Sequence, residues 1–471
     1  MTKLTSGEEL KKFFDDVASK RGAWQTRHRY YHGAIRKVAQ FFIPKGSAVL
    51  DVGSGTGDLL ASVAPKRGVG VDMSPKMTAL AAKRHSDLAF FTMDAESLTL
   101  AEKFDYIICS DLVSYLPDVQ RAFMELKKVT HDHTKILITY TNFLWEPLLR
   151  FAEFAHLKMS SPAQNWLSAG DLENFLHLAG FEVVKRGEEV LIPVNIPLLS
   201  YLVNRFIARL PLLRRLCLLR YVIAKPRQLA VREYTTSVII PARNEKGNIE
   251  AAVLRTPQLG SHTEIIFVEG GSKDGTREEI QRVIAAHKEK DITLLIQDGK
   301  GKGDAVRKGF AAAKGDVLFI LDADLTVPPE DLPKFYAAIA SGAGEFINGS
   351  RLVYQMQRQA MQTLNHIANK FFGVSFSWIL GQRVKDTLCG TKVLLRTDYE
   401  RIAAGRAFFG DFDPFGDFDL LFGAAKLGLK IIDLPIRYEA RTYGSTNISR
   451  WRHGWLLLKM TAFSLLKMKF F

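Results

Sequence analysis

The chain has 471 residues, of which 47% are hydrophobic, and its formal net charge is +14. This length exceeds one typical domain, so we expect two or three domains, each with ample material for a core. The charge predicts an anionic partner, and three widely separated cysteines, Cys109, Cys217 and Cys389, argue against a disulfide scaffold or a structural zinc site.

The N-terminal residues are predicted to be helical and not to form a signal peptide. Residues 8–43 have a helical pattern, and the acidic residues Glu8, Glu9, Asp15 and Asp16 are unlike a signal peptide. The longest uncharged apolar run near the middle, residues 190–204, is too short and too rich in proline for a transmembrane helix. We therefore expect a cytoplasmic protein with neither a signal peptide nor a transmembrane helix.

A strand, a glycine-rich turn and a helix are predicted over residues 48–60. The turn contains three glycines, Gly53, Gly55 and Gly57, a spacing one residue short of the dinucleotide pattern Gly-x-Gly-x-x-Gly. Glycines let the backbone turn tightly and approach a ligand closely. A second predicted strand ends in Asp72, where a carboxylate can accept hydrogen bonds from ribose hydroxyls, and a third ends before Asp94. Strands and helices alternate, which predicts a parallel, doubly wound sheet.

These features resemble the class I S-adenosylmethionine-dependent methyltransferases over most of residues 40–190. The resemblance includes a late helix-to-strand turn at residues 172–181. It implies six cofactor-binding residues: Gly53, Gly55 and Gly57 at the amino-acid end with Asp51 beside them, Asp72 at the ribose, and Asp94 at the adenine. A nucleotide-type Rossmann domain that binds another ligand or none is the alternative. The sequence indicates neither the methyl acceptor nor a base.

Residues 191–231 are predicted to form a basic amphipathic connector. Leucines and other apolar residues recur at helical spacing, seven arginines and lysines follow, and no acidic residue occurs in the segment. Prolines at positions 193, 197 and 211 divide it into short pieces. Two interpretations stay open: the segment lies in an anionic membrane interface, or it packs on a neighbouring domain.

Two carboxylates dominate the second half of the chain. An apolar run over residues 317–321 predicts a buried strand that ends in Asp322 and Asp324. Residues i and i+2 of an extended chain point the same way, so both carboxylates are expected to face one point. Hard oxygen ligands suit Mg²⁺ or Mn²⁺, which in turn can hold a diphosphate. Read alone, the same pattern is a solvated acidic turn.

Seven ordered blocks around this pair resemble glycosyltransferase family two, which has the GT-A fold. They read VIIPARNE, GSKDGT, GKGDAVRKGF, LDADLTVPPEDL, NGSRL, DTLCGTKV and RTYGST, and within the family they are most similar to polyprenyl- or dolichyl-phosphate mannose and glucose synthases. The resemblance implies that the metal is held by Asp322 and Asp324, and that the nucleotide-sugar pocket is lined by Pro241, Arg243, Glu245, Glu269, Asp304 and Asp322. One departure is Glu269-Gly270, where the family usually has Asp-Asp.

The chemistry of the acceptor decides which further residues are needed. A lipid phosphate is already an anionic nucleophile, so it needs cations and no general base. By resemblance, Arg351 and Arg441 are the candidates, although both could instead be structural ion-pair partners. A sugar hydroxyl would require a base, for which Asp417 or Asp419 is the candidate. Aspartates at a helix start are also common N-caps.

The sequence thus predicts an α/β protein with two Rossmann-like domains: a class I methyltransferase domain (1–190), the connector (191–231) and a GT-A glycosyltransferase domain (232–471) with a basic amphipathic tail. We expect a bifunctional enzyme that uses S-adenosylmethionine, a nucleotide-sugar donor, Mg²⁺ or Mn²⁺, and a polyprenyl-phosphate acceptor. Peripheral contact with the cytoplasmic membrane face is expected, and no nucleic acid. The alternatives are a glycosyltransferase acting on a sugar hydroxyl with methylation of the glycan, or a scaffold with decayed sites.

Overall fold

The computed structural model describes residues 7–155, 157–158, 161–162, 164–228, 230–351, 363–408, 418–436, 438–439, 441, 443 and 450–470. The chain divides into two compact units, Met1–Arg227 with Phe470–Phe471 and Gln228–Lys469. Each unit contains a seven-stranded sheet and its own hydrophobic core.

The first unit has seven strands and eight α-helices among the described residues. The strands are β1 (Ala48–Val52), β2 (Arg67–Asp72), β3 (Ala89–Thr92), β4 (Phe104–Ser110), β5 (Thr130–Thr141), β6 (Phe181–Glu189) and β7 (Leu219–Pro226). The helices are α1 (Gly7–Arg27), α2 (Arg29–Phe42), α3 (Asp58–Ser62), α4 (Pro75–Arg84), α5 (Val119–Lys128), α6 (Glu146–Phe154), α7 (Ala169–Leu178) and α8 (Leu199–Arg205).

The first sheet has the order β3-β2-β1-β4-β5-β7-β6. Strands β1 to β5 pair in parallel, so the ends of β1, β2 and β4 share one edge. Valines, leucines and isoleucines of β1, β2 and β4 form the centre of the core, as expected for a sheet covered on both faces. Helix α7 begins with a capping box between Ser168 and Asp171, which satisfies N–H groups that the first turn leaves unpaired.

The structure revises the predicted connector. Strand β7 comes from the segment 191–231, and it lies antiparallel between β5 and β6 in the first sheet. Val222 pairs with Ile138 on one side and with Arg186 on the other. The sequence interpretation followed the prolines and arginines of this segment, whereas the apolar residues of 219–224 are buried in a sheet. The first unit consequently extends to Arg227 rather than to residue 190.

The second unit is also an α/β sheet, with the order β10-β9-β8-β11-β13-β12-β14 for the following elements. Its strands are β8 (Thr235–Ala242), β9 (His262–Glu269), β10 (Asp291–Ile296), β11 (Val317–Ile320), β12 (Phe346–Ser350), β13 (Lys392–Leu395) and β14 (Ile431–Pro435). Its helices are α9 (Ile249–Arg255), α10 (Thr276–Ala286), α11 (Lys302–Ala312), α12 (Leu332–Ala340), α13 (Thr363–Leu380), α14 (Arg396–Ala404), α15 (Phe418–Lys426) and α16 (Arg450–Ser464), the last followed by a π-helical turn at Leu465–Lys469.

The second sheet is mixed. Strands β8 to β11 pair in parallel, whereas β13 lies antiparallel between β11 and β12. The predicted class of two Rossmann-like α/β domains is confirmed, with antiparallel strands added in each sheet. The ends of β8, β9 and β11 lie at one edge, where most of the predicted sugar-nucleotide residues follow. Among the described residues, none of the helices combines the length and the apolar character needed to cross a membrane.

A pair of substitutions tests whether the segment 191–231 belongs to the first sheet. Val222 is 1% exposed in β7, whereas Leu212 of the same segment is 78% exposed. We expect Val222→Asp to lower the free energy of unfolding by about 3 kcal/mol or more, because it buries an unpaired charge. Leu212→Asp should change it by less than about 0.5 kcal/mol. Urea unfolding measures both, and equally small effects would contradict the placement of β7.

Candidate active sites

The glycine-rich turn of the first unit folds back on the end of β2. Gly53, Gly55 and Gly57 all have positive φ angles, +78°, +52° and +76°, which side chains with a Cβ rarely adopt. The N–H of Gly55 donates to the Asp72 carboxylate at 2.9 Å. A Cβ on Gly55 would lie 3.3 Å from Nε of Arg21. The turn therefore presents bare backbone beside one carboxylate and one guanidinium.

A cavity lies at this edge of the first sheet. Its empty volume is about 810 Å³, which includes the part open to solvent. Four of the six predicted cofactor residues line it: Gly53, Gly55, Asp72 and Asp94. The Asp72 carboxylate also accepts the N–H of Ser74 at 2.9 Å, and burial raises the pKa of Asp72.

Asp51 is placed differently from the prediction. It lies within β1, is only 1% exposed, and does not belong to the described residues that line the cavity. Its Oδ1 atom has no hydrogen-bond partner among the residues that the structure describes. Burial, reinforced by the nearby charge of Asp72, raises the pKa of Asp51 to about 7. Asp51 therefore lies outside the described wall of the cavity.

Two groups in the cavity were missed by the sequence interpretation. Arg21 of α1 lines the cavity, and its buried Nε has no hydrogen-bond partner among the described residues. Asp111, just after β4, also lines it; the hydroxyl of Tyr31 donates to its carboxylate at 3.0 Å, and burial raises its pKa. Asp111 has a positive φ angle of +53°, which is strained for a residue with a side chain. Neither group belongs to a local motif.

The second unit brings its two key carboxylates to cations of the same chain. Nζ of Lys302 lies 2.5 Å from Oδ1 of Asp322, and Nη2 of Arg441 lies 2.6 Å from Oδ2 of Asp324. Burial opposes the charged form of Asp322, but Lys302 outweighs it and holds the pKa of Asp322 below its ordinary value. A Cβ on Gly390 would overlap both Asp322 and Lys302. The backbone at Gly390 therefore packs directly against Asp322 and Lys302.

Arg441 joins the ends of two strands. Its Nη1 atom donates to Oε1 of Glu245, beyond β8, at 2.8 Å, while Nη2 binds Asp324, beyond β11. The second oxygen of Glu245 accepts from Asn248 at 2.8 Å. Burial raises the pKa of Glu245 although Arg441 opposes this. Asp324 is further fixed by the N–H and the hydroxyl of Thr326, at 3.2 and 2.8 Å.

The other predicted nucleotide-sugar residues lie in the adjoining turns. Glu269 is buried at the end of β9 and accepts the N–H of Ser272 at 2.5 Å, so it shapes the following turn. Asp304, in the first turn of α11, accepts the N–H of Gly299 at 3.0 Å and closes the glycine-rich loop. Pro241 ends β8 with its neighbour, and the exposed Arg243 follows.

Arg351 is bound to Asp386, the first residue of the block DTLCGTKV, to which the sequence analysis assigns no role. Its Nε and Nη2 atoms donate to the two oxygens of Asp386 at 2.7 and 2.9 Å, and its backbone N–H donates to Oδ2 at 3.0 Å. The side chain of Asp386 is 0% exposed, and that of Arg351 12%. This bidentate geometry favours the structural ion pair over the acceptor-binding alternative for Arg351.

Of the two candidate bases, Asp417 and Asp419, the structure describes only Asp419. Asp419, near the start of α15, lies 3.1 Å from Nε of Arg406 and 4.0 Å from Nη1 of Arg307. Burial raises the pKa of Asp419, and the two arginines oppose this. Asp417 lies outside the described residues. Arg307 thus has a carboxylate beside it.

Comparisons with known proteins match each unit separately. Residues 25–186 match the family model described as Methyltransferase domain, and residues 237–402 match Glycosyl transferase family 2. Both matches agree with the resemblances that the sequence indicated.

Three curated relatives each match part of the chain. Dolichol-phosphate mannosyltransferase of Saccharomyces cerevisiae is 38% identical over 121 residues, which are 24% of this chain and 44% of that protein. Undecaprenyl-phosphate 4-deoxy-4-formamido-L-arabinose transferase of Aeromonas hydrophila is 32% identical over 147 residues, 30% of this chain and 45% of that protein. Glycosyltransferase AglJ of Haloferax volcanii is 28% identical over 222 residues, 47% of this chain and 68% of that protein. The chain spans about half the length of the first two.

The raised pKa of Asp51 predicts a pH effect on stability. A carboxyl whose pKa rises from 3.8 to about 7 on folding binds a proton more tightly when folded, so stability falls as the pH rises between these values. We expect Asp51→Asn to gain on the order of 2 kcal/mol relative to the unsubstituted protein between pH 5 and pH 8. Urea unfolding at both pH values measures this. Asp87→Asn, which removes an exposed carboxylate of the same unit, is the control. The same pH dependence with and without Asp51 would contradict the prediction.

Proposed function

We propose that this chain, an enzyme that joins a methyltransferase domain to a family 2 glycosyltransferase domain, transfers a sugar from a nucleotide-sugar to a polyprenyl phosphate and a methyl group from S-adenosylmethionine to a second acceptor. The observation that carries the sugar-transfer proposal is the cluster of Asp322 with Lys302 and of Asp324 with Arg441 and Glu245. It gathers residues from four separate motif blocks at the edge where a donor would bind.

The carboxylate pair fits a divalent cation. Two aspartates supply hard oxygen ligands, and both already attract a cation of the chain, Lys302 at 2.5 Å and Arg441 at 2.6 Å. Asp322 and Asp324 would hold Mg²⁺ or Mn²⁺, which when bound supplies positive charge at the donor diphosphate. Thr326 keeps Asp324 oriented for this role. Lys302, the first residue of α11, then has the donor's phosphates as an alternative anionic partner.

The transfer follows from the charges of the two substrates. An oxygen of the lipid phosphate attacks the anomeric carbon, a new carbon–oxygen bond forms, and the bond to the diphosphate breaks with its electron pair leaving on the nucleoside diphosphate. Arg441 provides the cation that allows the two anions to approach, because it lies beside Asp324 at the end of β11. A single displacement inverts the anomeric carbon. No proton has to be removed, since the phosphate is already ionised.

The surroundings of Asp419 favour the lipid phosphate over a sugar hydroxyl. A general base needs a carboxylate that can reach a substrate proton, yet Asp419 has Arg406 and Arg307 beside it and is 7% exposed. The names of two relatives more than 30% identical, a dolichol-phosphate and an undecaprenyl-phosphate transferase, describe lipid-phosphate chemistry for those proteins. Transfer to a sugar hydroxyl, with Asp417 or Asp419 as the base, is the second candidate.

The proposed methyl-donor site is the cavity of the first unit. The bare backbone of Gly53 and Gly55 allows close approach of the amino-acid end of S-adenosylmethionine. Arg21 supplies a guanidinium for the carboxylate of that end, and its buried, unpaired Nε supports this assignment. Asp72 is assigned to the ribose and Asp94 to the adenine, as the family resemblance implies.

The test of the sugar-transfer proposal uses radiolabelled GDP-, UDP- and dTDP-sugars with polyprenyl phosphate and Mn²⁺. We expect one donor to deliver label to the organic phase, and Asp324→Asn to lower the rate about 100-fold or more, because it removes a ligand and the partner of Arg441. The matched control is Glu330→Gln, which removes an exposed carboxylate whose partner is Arg255. Label in a water-soluble glycan instead of the lipid would move the acceptor to a sugar hydroxyl. Undiminished transfer by Asp324→Asn would contradict the site.

The test of the methyl-donor proposal is binding of S-adenosylmethionine by calorimetry. Arg21→Gln and Asp72→Asn should each weaken binding by about tenfold or more, because each removes one charge-assisted contact. Glu102→Gln is the matched control, since its carboxylate pairs with Arg67 on the exposed surface. Equal affinity in all four proteins would show that the cofactor does not use this cavity.

A further inference from the structure

Exposed apolar side chains of the first unit are concentrated in two segments. Residues 143–157 expose six large apolar side chains and residues 194–216 expose eleven; elsewhere in the described part of this unit only Phe91, Met124 and Leu178 are comparably exposed. Phe154 is 82% exposed and Leu212 is 78% exposed. We call these two segments together the apolar surface. Such a concentration marks an interaction site on a folded domain.

The two segments are held side by side. The amide of Asn142 donates to the carbonyls of Arg215 and Cys217 at 3.0 and 2.9 Å. The indole of Trp145 donates to the carbonyl of Leu216 at 2.7 Å. The segments leave adjacent strands, because Thr141 of β5 pairs with Leu219 of β7. Residues that are far apart in sequence therefore form one continuous surface.

The charges of the apolar surface are basic. No acidic residue occurs between Val190 and Val231, and Arg215 is exposed there. The guanidinium of Arg205 lies 5.5 Å from the Tyr201 ring, an arrangement in which the stem follows the apolar surface and the charge reaches its rim. In the other segment, Glu146 and Glu153 each pair with a cation of the same segment, Arg150 and Lys158. Arg209 and Arg214 pair with Glu189 and Glu188 of β6, so the net positive charge of the rim comes from Arg205 and Arg215.

We propose that the apolar surface docks the first unit on an anionic lipid bilayer. Phenylalanine, tyrosine and leucine side chains with a basic rim match the chemistry of the interface between headgroups and acyl chains. If two copies instead formed a symmetric dimer through the apolar surface, the same arginines would face one another. Repulsion between these like charges disfavours such a dimer. The inference deepens the proposed function and rests on it, because a polyprenyl-phosphate acceptor resides in a bilayer.

The apolar surface connects to the cofactor cavity through α2. The hydroxyl of Tyr30 donates to the carbonyl of Ser200 in α8 at 3.1 Å. The hydroxyl of the next residue, Tyr31, donates to Asp111, which lines the cavity, at 3.0 Å. One helix thus contacts both the docking segment and the methyl-donor site. Docking of the first unit would therefore bring its proposed methyl-donor site close to the membrane.

Vesicle flotation of the full chain tests the docking surface without requiring catalysis. We expect flotation with phosphatidylcholine vesicles that contain phosphatidylglycerol, weak flotation with phosphatidylcholine alone, and release by salt. The combined variant Phe151→Ser, Phe154→Ser and Leu212→Ser should weaken partitioning by about tenfold or more, because it removes three inserting side chains. The matched control, Met124→Ser with Leu178→Ser, removes equally apolar exposed residues outside the surface and should float normally.

A label provides a second measurement that does not depend on the triple variant. All three native cysteines are buried and unpaired, so a polarity-sensitive dye can be attached selectively to Leu212→Cys or to Met124→Cys. Anionic vesicles should shift the emission of the first dye to shorter wavelength and leave the second unchanged. Three results would overturn the proposal: no flotation of the unsubstituted chain, flotation unaffected by the triple variant, or a dimer that the triple variant converts to a monomer. None of these three results implies a loss of sugar transfer to detergent-dispersed lipid. That assay therefore distinguishes failure of docking from failure of the proposed function.

Discussion

The second unit depends on neutralising two carboxylates that the end of β11 brings together. Asp322 and Asp324 repel each other, and partial burial strengthens this repulsion because the local dielectric is low. Lys302 and Arg441 relieve it, and each comes from a different part of the chain. Arg441 also binds Glu245, so the ends of β8 and β11 are joined by one guanidinium. The carboxylate–cation contacts that stabilise this edge are of the same kind as the contacts that a metal ion would make with the aspartates and a diphosphate with Lys302 and Arg441.

Carboxylates also gather at the edge of the first sheet, where a different set of groups stabilises them. These carboxylates are Asp51, Asp72 and Asp111, whose pKa values burial raises. Backbone N–H groups bind Asp72, a tyrosine hydroxyl binds Asp111, and the charge of Arg21 acts on both Asp72 and Asp111. The positive φ angles of the glycine turn make room for this arrangement. In both units, most of the predicted site residues lie at or just after strand ends, as expected where parallel strands end at one edge.

The local sequence pattern was sufficient to predict the strands and the motif residues that follow them. The predicted strands before Gly53, Asp72 and Asp322 are present, because apolar runs bounded by turn residues carry that information within a few positions. Contacts between segments that are far apart in the chain could not be predicted from the sequence. The partner of Arg351 is Asp386, 35 residues later, and Arg21 meets the glycine turn from a helix without any motif. The sequence pattern does not predict β7, because the prolines and arginines of its segment stand beside an apolar run too short to decide between a strand and a helix.

The most direct test of the account is Mn²⁺ binding by the purified chain, measured by electron paramagnetic resonance with and without a nucleoside diphosphate. The account predicts one site that tightens about tenfold or more when GDP or UDP is present, since the diphosphate offers Lys302 and Arg441 another anion and frees the aspartates. The site should be lost in Asp324→Asn. Mn²⁺ binding that neither the nucleotide nor this substitution changes would contradict the assignment of the paired carboxylates.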